Sequence, residues 1–288
     1  MLTGCKSLTK LPVDMRKLIN LHHLDVSGTK IVEMPVQMGR LKSLRTLAAF
    51  VVGKSTGPSI GELRELPQLR GKLSILKLQN VVDARDALQG NLKDKKDLKE
   101  LELEWSDEDA DDSLNEKDVL DKLQPCLLLV DATNWALPAL KKLRIKRMKL
   151  VKTIGVEFYG RNEGSPIQPF QSLEKLQFGE MAEWEEWVPS GSGSGGEYGP
   201  DFPRLQELFL EDCPKLRGLG HLTSLQSLHI SGCDSIQFLP EEGLPPSLSF
   251  LRISQCSVLE KRYQNKAGED WAKISHIPCI RINDDVTI

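Results

Sequence analysis

LQELFLEDCPKLRGL, Leu205 to Leu219, is the stretch that decides the fold. Its repeating apolar residues are Leu205, Leu208, Leu210, Cys213, Leu216 and Leu219. The same set returns 20 residues later as Leu225, Leu228, Ile230, Cys233, Ile236 and Leu239, and 23 residues after that as Leu248, Leu251, Ile253, Cys256 and Leu259. An L-x-x-L-x-L core with a period of about 20 to 29 residues marks leucine-rich repeats, each adding one short strand to a parallel sheet and one returning segment behind it. The N-terminal end shows the same device: Leu8, Leu11, Pro12, Leu18, Leu21 and Leu24 recur as Ile31, Met34, Pro35, Leu41, Leu44 and Leu47, each shifted by 23.

Between these regular ends the strand cores continue at wider spacing, as LSILKLQNV from Leu73, LKELELEW (Leu98 to Trp105), LKKLRIKRM (Leu140 to Met148) and LEKLQF (Leu173 to Phe178). Part of the extra length reads as helix. Ala84, Ala87, Leu88 and Leu92 recur at helical spacing after Asp83 as a cap, and NEKDVLDKLQP runs from a capping Asn115 to a terminating Pro125. PSGSGSGGEYGP (Pro189 to Pro200) and the acidic SDEDADDS (Ser106 to Ser113) read as surface loops. The expected fold is an α/β leucine-rich-repeat solenoid, a horseshoe with a parallel concave β-sheet and an irregular or helical convex side. A single domain over 1–288 is expected, with about eight to ten repeats. The regular repeats occupy 1–50 and 202–260, longer irregular ones 51–201, and a C-terminal cap 261–288.

Charge sets few demands. Lys and Arg number 38 against 41 Asp and Glu, a formal net charge of −3 in 288 residues, which points to no general affinity for nucleic acid or a membrane surface. No run of about 18 apolar residues occurs, so no membrane insertion is expected. The six cysteines include no C-x-x-C pair, which leaves a disulfide scaffold or zinc site without support and suits a reducing cytoplasm.

Two stretches invite a catalytic reading. Gly53-Lys54-Ser55-Thr56 has the ending of a phosphate-binding loop, and CLLLVD (Cys126 to Asp131) the form of a magnesium-holding strand. The loop needs an earlier glycine where this chain has Ala48, and a helix must follow directly, yet Gly57-Pro58 intervenes. A surface turn leaving the strand around Leu44 to Leu47 is expected instead. No nucleophile motif or metal-ligand spacing remains, so no enzyme activity, catalytic residue, metal site or cofactor is expected.

Longer stretches carry a resemblance. LINLHHLDVSGTKIVEMPVQMGRLKSLRTLAAFVVGK, IGELRELPQLRGKLSILKLQNVVDARDALQGNLKDKKDLKELELEW, IQPFQSLEKLQFGEMAEWEEWVPSG and FPRLQELFLEDCPKLRG closely resemble the leucine-rich-repeat region of plant disease-resistance proteins of the coiled-coil, nucleotide-binding class. The ending GEDWAKISHIPCIRINDD is similar to that family's C-terminus. The resemblance implies a cytoplasmic immune receptor. Its repeats would sense a pathogen effector or a guarded host protein and restrain the nucleotide-binding domain of the same or a related receptor. It also implies that ADP or ATP belongs to that nucleotide-binding domain, which this chain lacks because it opens inside a repeat. Only CLLLVDATNWA separates VLDKLQP from LPALKKL, where members of the family run through about two more repeats, so an internal loss near 126–137 is expected. The alternative is a free-standing truncated repeat protein, either an adaptor or regulator of other receptors or a non-functional fragment.

Residues between the strand leucines point outward onto the concave face. The rule selects His23, Asp25 and Ser27; Glu100, Glu102 and Glu104; Lys142, Arg144 and Lys146; Lys175 and Gln177; Glu207, Phe209 and Glu211; Ser227, His229 and Ser231; and Phe250, Arg252 and Ser254. Of these, His23, Asp25, Glu100, Glu102, Glu104, Lys142, Arg144, Lys146, Glu207, Phe209, His229, Phe250 and Arg252 form the candidate partner-binding set. The glutamate and basic trios allow two readings, a cross-strand charge ladder or a bipolar docking face. Phe209 and Phe250 likewise are either binding anchors or rings folded over neighbouring leucines. Cys213, Cys233 and Cys256 share one repeat position and are expected to be buried structural thiols. The basic run Lys141 to Lys152 lacks aromatic interleaving, so no nucleic-acid partner is expected. In EWEEW, Trp184 and Trp187 are expected to tack a long loop to the solenoid edge.

Overall fold

A strand whose alternate residues are leucine has one face to bury, and a run of such strands buries it only by stacking side by side. The computed structural model describes residues 2–54, 56–106, 116–123, 137–155, 158, 170–188, 202–219, 224–240, 244–264, 268–283 and 285–286. The chain forms two compact units, Met1–Lys141 and Lys142–Ile288, and repeats of the same kind build both.

In the first unit β1 (His23–Leu24) pairs in parallel with β2 (Thr46–Leu47). Separately, β3 (Ala49–Val51), β4 (Gly71–Leu76) and β5 (Leu98–Glu104) form a parallel sheet. Helix α1 (Ala84–Gln89) and helix α2 (Glu116–Leu123) fill the longer returns. The Asp83 carboxylate caps α1 by accepting from the Arg85 amide at 2.9 Å. Asn115 and Pro125, the expected ends of α2, lie outside the described residues, as do CLLLVD and nearly all of both expected loops.

The second unit carries β6 (Lys142–Lys146), β7 (Thr153–Ile154), β8 (Lys175–Gly179), β9 (Glu186–Trp187), β10 (Glu207–Glu211), β11 (Ser227–Ser231) and β12 (Phe250–Ser254). Helices α3 (Ser257–Gln264) and α4 (Glu269–Ala272) follow, then β13 (Cys279–Ile282) and β14 (Asp285–Val286). Strands β6, β8, β10, β11, β12 and β13 pair in parallel in that order, and β14 adds antiparallel to β13. Strands β7 and β9 form a small parallel pair of their own.

The sequence period and the strand register are one quantity. His23 pairs with Thr46, Glu207 with Ser227 and Ser227 with Phe250, offsets equal to the 23, 20 and 23 residues that separate the leucine patterns. Inward residues therefore meet their equivalents: Leu176, Leu208, Leu228, Leu251 and Ile280 stack as one buried row. The fold is a leucine-rich-repeat stack in each unit.

The Gly53 turn follows β3 rather than β2. Its backbone closes on itself, the Gly53 amide donating to Pro58 O at 2.9 Å and the Gly57 amide to Lys54 O at 2.7 Å. A Cβ on Gly53 would stand 2.5 Å from Pro58 Cδ, so this glycine serves close backbone packing and its amide is not free for a phosphate. The tryptophans of EWEEW also differ from expectation. Trp184 and Trp187 sit in the core, Trp184 4.8 Å and Trp187 5.5 Å from the Phe178 ring. Two large rings three residues apart bury more apolar surface beneath β8 than they could at an edge.

Cys213, Cys233 and Cys256 are fully buried, and each thiol donates to the carbonyl two residues back, at 3.4 Å (Glu211), 3.3 Å (Ser231) and 3.2 Å (Ser254). The row is also linked laterally, the Cys233 backbone amide donating to Cys256 Sγ at 3.3 Å. Its bond with Cys213, together with burial, pushes the Cys233 thiol up to about 12, and Cys256 moves in the same direction. All three cysteines lie just beyond their strands, and burial makes the Cys233 and Cys256 thiols poor nucleophiles. Iodoacetamide should label exposed Cys5 in the native chain, and Cys213, Cys233 and Cys256 only after denaturant is added. Peptide mapping that finds the three alkylated before unfolding would contradict this packing.

One buried cation stands out. Lys95 is 1% exposed, and its Nζ donates to Leu63 O at 2.7 Å and Leu66 O at 3.0 Å, carbonyls at the end of the 3₁₀ turn Ile60–Glu65. Burial draws its pKa from 10.5 down to about 8. Between those values the unfolded chain holds more protons than the folded one, so this group makes stability rise with pH across that window. The Tm of the wild type should therefore gain on that of Lys95→Met as the buffer moves from about pH 8 to 10.5. A Tm difference that stays constant over the range rejects the assignment.

Candidate partner-binding face

Parallel pairing keeps the outward residues in rows, as it does the inward ones, and strand β6 onward shows the pattern clearly. Lys142, Lys175, Glu207, Ser227, Phe250 and Cys279 share one row. Arg144, Gln177, Phe209, His229, Arg252 and Arg281 share the next. All thirteen candidate residues occupy outward positions, and none is fully buried.

In the first unit His23 Nδ1 meets Thr46 Oγ1 at 2.9 Å across β1 and β2. Asp25 accepts from the Ser27 amide at 2.9 Å, which lowers its pKa and assigns it a turn-closing role. Glu102 accepts from Ser74 Oγ at 2.9 Å, with Lys72 Nζ 3.8 Å away. Glu100 and Glu104 flank it on β5. Glu102 thus has partners on its own sheet. The acidic trio belongs to the first unit and the basic trio to the second.

In the second unit the outward rows link across strands. Arg144 Nε donates to Gln177 Oε1 at 2.8 Å, and Gln177 Nε2 donates to Glu211 at 2.6 Å. Lys175 Nζ bridges to Glu207 at 2.9 Å. Lys146 extends along Gly179, where the missing side chain leaves it room. The two phenylalanines pack against a third ring. Phe209 stacks on His229 with centroids 4.1 Å apart and planes 11° apart, and His229 packs on Phe250 at 5.0 Å. Lys175 Nζ lies 3.9 Å over the Phe209 ring and Arg281 5.6 Å from that of Phe250. The result is one ladder across five consecutive strands, cation, ring, ring, ring, cation. Beside it Phe209, Glu211, His229, Arg252 and Gln255 border an open hollow of about 390 Å³.

Sequence reasoning placed each rung except Arg281 at the face, because Arg281 follows β12 at an offset of 29 residues and was grouped with the C-terminal cap. The alternation of CIRI against FLRI was the available signal. Among the described residues no group of three His, Cys, Asp or Glu side chains could hold a metal ion, and no helix is long and apolar enough to cross a membrane.

A sequence profile described as R13L1/DRL21 LRRs matches residues 60–213, more than half of the chain. The chain belongs to the R13L1/DRL21 leucine-rich-repeat family. The relatives of this R13L1/DRL21 chain include the disease-resistance RPP13-like protein 1 of Arabidopsis thaliana, 35% identical over 74% of this chain and 25% of its own length. The disease resistance protein RGA2 of Solanum bulbocastanum is 26% identical over 77% of this chain and 27% of its own. The chain thus spans about a quarter of the length of these relatives. Among solved structures, the leucine-rich repeat domain of the type III effector XopL is similar over 96% of this chain and 73% of its own, at 18% identity and a TM-score of 0.42.

The electrostatics of His229 give this ladder a measurable signature. Burial lowers its pKa below 6.5, and Lys175 and Arg252 reinforce the shift against the opposing Glu207 and Glu211. A neutral imidazole is what stacks on Phe209 beside a lysine. As pH falls from 6.5 toward the folded value, the unfolded chain takes up the proton first, so stability is lost. Thermal melts should show Tm falling on acidification below about pH 6.5, with His229→Phe removing part of the fall. Equal acid sensitivity in both proteins would rule out this coupling.

Proposed function

We propose that this chain is the partner-binding repeat region of a cytoplasmic plant immune receptor of the nucleotide-binding class, and that its work is binding, not catalysis. The outward rows of the second unit would engage a pathogen effector or a guarded host protein. In the resting state the repeats would restrain the nucleotide-binding domain of the same or a related receptor. ADP or ATP would sit in that neighbouring domain. The ladder from Lys175 to Arg281 carries this reading. Three aromatic side chains held half-buried on an outward face would form a preorganised anchor, and the chain's similarity to disease-resistance relatives supports the reading.

The test begins with an antibody to the tail at 269–285, used on native tissue. A product several times larger than this chain, containing nucleotide-binding peptides by mass spectrometry, is expected. A product of this chain's own size instead supports a free-standing repeat protein. In the larger product, Phe209→Ala with Phe250→Ala should abolish the pathogen-triggered cell-death response while the protein accumulates normally. An undiminished response would reject the ladder as the sensing face.

A further inference from the structure

The ladder differs from a surface for stacking. Phe209 has Lys175 over one side and His229 stacked on the other, while Phe250 lies between His229 and Arg281. Their faces are taken, so what remains for a partner is the row of ring rims. An aromatic ring is negative over its face and positive around its edge. A row of rims is therefore a weakly positive strip, suited to carboxylate oxygens and unsuited to an intercalating base.

The charges around the strip agree. Among the outward positions of β6, β8, β10, β11, β12 and β13, Lys142, Arg144, Lys146, Lys175, Arg252 and Arg281 stand against the carboxylates Glu207 and Glu211. Glu207 is paired with Lys175 at 2.9 Å and Glu211 accepts from Gln177 at 2.6 Å, whereas Arg252 and Arg281 are exposed beside the rings. The face is thus cationic within a chain whose net charge is −3. His229 adds no charge at neutral pH, since burial lowers its pKa. The ladder crosses four strand spacings of about 4.8 Å, about 19 Å in all, which about six extended residues at about 3.3 Å each would span.

Resting on the partner-binding reading above, we propose that the Lys175–Phe209–His229–Phe250–Arg281 ladder is a docking strip for an extended acidic segment of the partner protein. Its carboxylates lie along the ring rims and against the guanidinium groups of Arg252 and Arg281. Charge complementarity of this kind sets the orientation and rate of encounter, and the rings supply the anchor.

The full chain would be titrated, by fluorescence anisotropy, into three labelled probes. These are a short Glu/Asp-rich peptide, the same peptide with Gln and Asn in place of the acids, and a single-stranded oligonucleotide. The acidic peptide should bind at least about tenfold more tightly than the amide peptide and weaken as salt is raised. The double reversal R252E/R281E should weaken it at least about tenfold while the protein still melts in one cooperative transition, its Tm lowered only by the loss of the Arg281 contact with Phe250. Phe250→Ala, tested separately, should also weaken it. Equal binding of acidic and amide peptides, indifference to the double reversal, or displacement of the peptide by the oligonucleotide at lower concentration would each overturn the proposal. If the acidic peptide fails here while Phe209→Ala with Phe250→Ala still abolishes the tissue response, the chemistry assigned to the partner falls and the binding face stands. Loss of neither removes both.

Discussion

Parallel pairing between equivalent strands is the constraint on which everything else depends. Once Leu208 sits beside Leu176 on one side and Leu228 on the other, the direction of every neighbouring side chain is fixed, because a slip of one residue would turn the leucines to solvent. The returning segments are free to vary so long as each strand re-enters in phase. That is why offsets of 20, 23 and 29 residues coexist in adjacent repeats of the second unit, and why α3 and α4 can be inserted between β12 and β13 without disturbing Ile280 opposite Leu251.

The same phase explains which parts of the molecule could be read from sequence. Inward leucines announce themselves by period, so β4, β5, β6, β8, β10, β11 and β12 were all legible, and with them the outward set. The capped α1 was legible because Asp83 is a local signal. Lateral chemistry was not legible. Whether Phe209 covers a leucine, faces solvent or stacks on His229 depends on a residue 20 positions away, and a strand pattern carries no information on ring orientation. Gln177 reads as an outward polar residue, yet its two hydrogen bonds to Arg144 and Glu211 draw it down to 4% exposure. Lys95 gives no sequence signal at all: a lysine after Asp94 looks solvated, and only the approach of the carbonyls at Leu63 and Leu66 makes burial tolerable.

Rows also divide labour. The inward rows and the cysteine row have little freedom, since a change in volume at Leu228 or Cys233 is felt in a close-packed interior. The outward rows can change identity without touching the register, so a repeat protein can alter what it recognises and keep its fold.

The separation is incomplete where outward residues touch one another. In the ladder, each rung positions the next: Lys175 both pairs with Glu207 and covers Phe209, and His229 packs against both Phe209 and Phe250. Aromatic pairs of this kind contribute about 0.5 to 1.5 kcal/mol, and a cation over a ring about 0.5 to 1 kcal/mol, so losing one rung loosens its neighbours as well as removing its own contact. Effects of substitutions along the ladder must then be non-additive, unlike those at outward positions several strands apart. A surface with that property is preformed: the cost of ordering its side chains is met on folding.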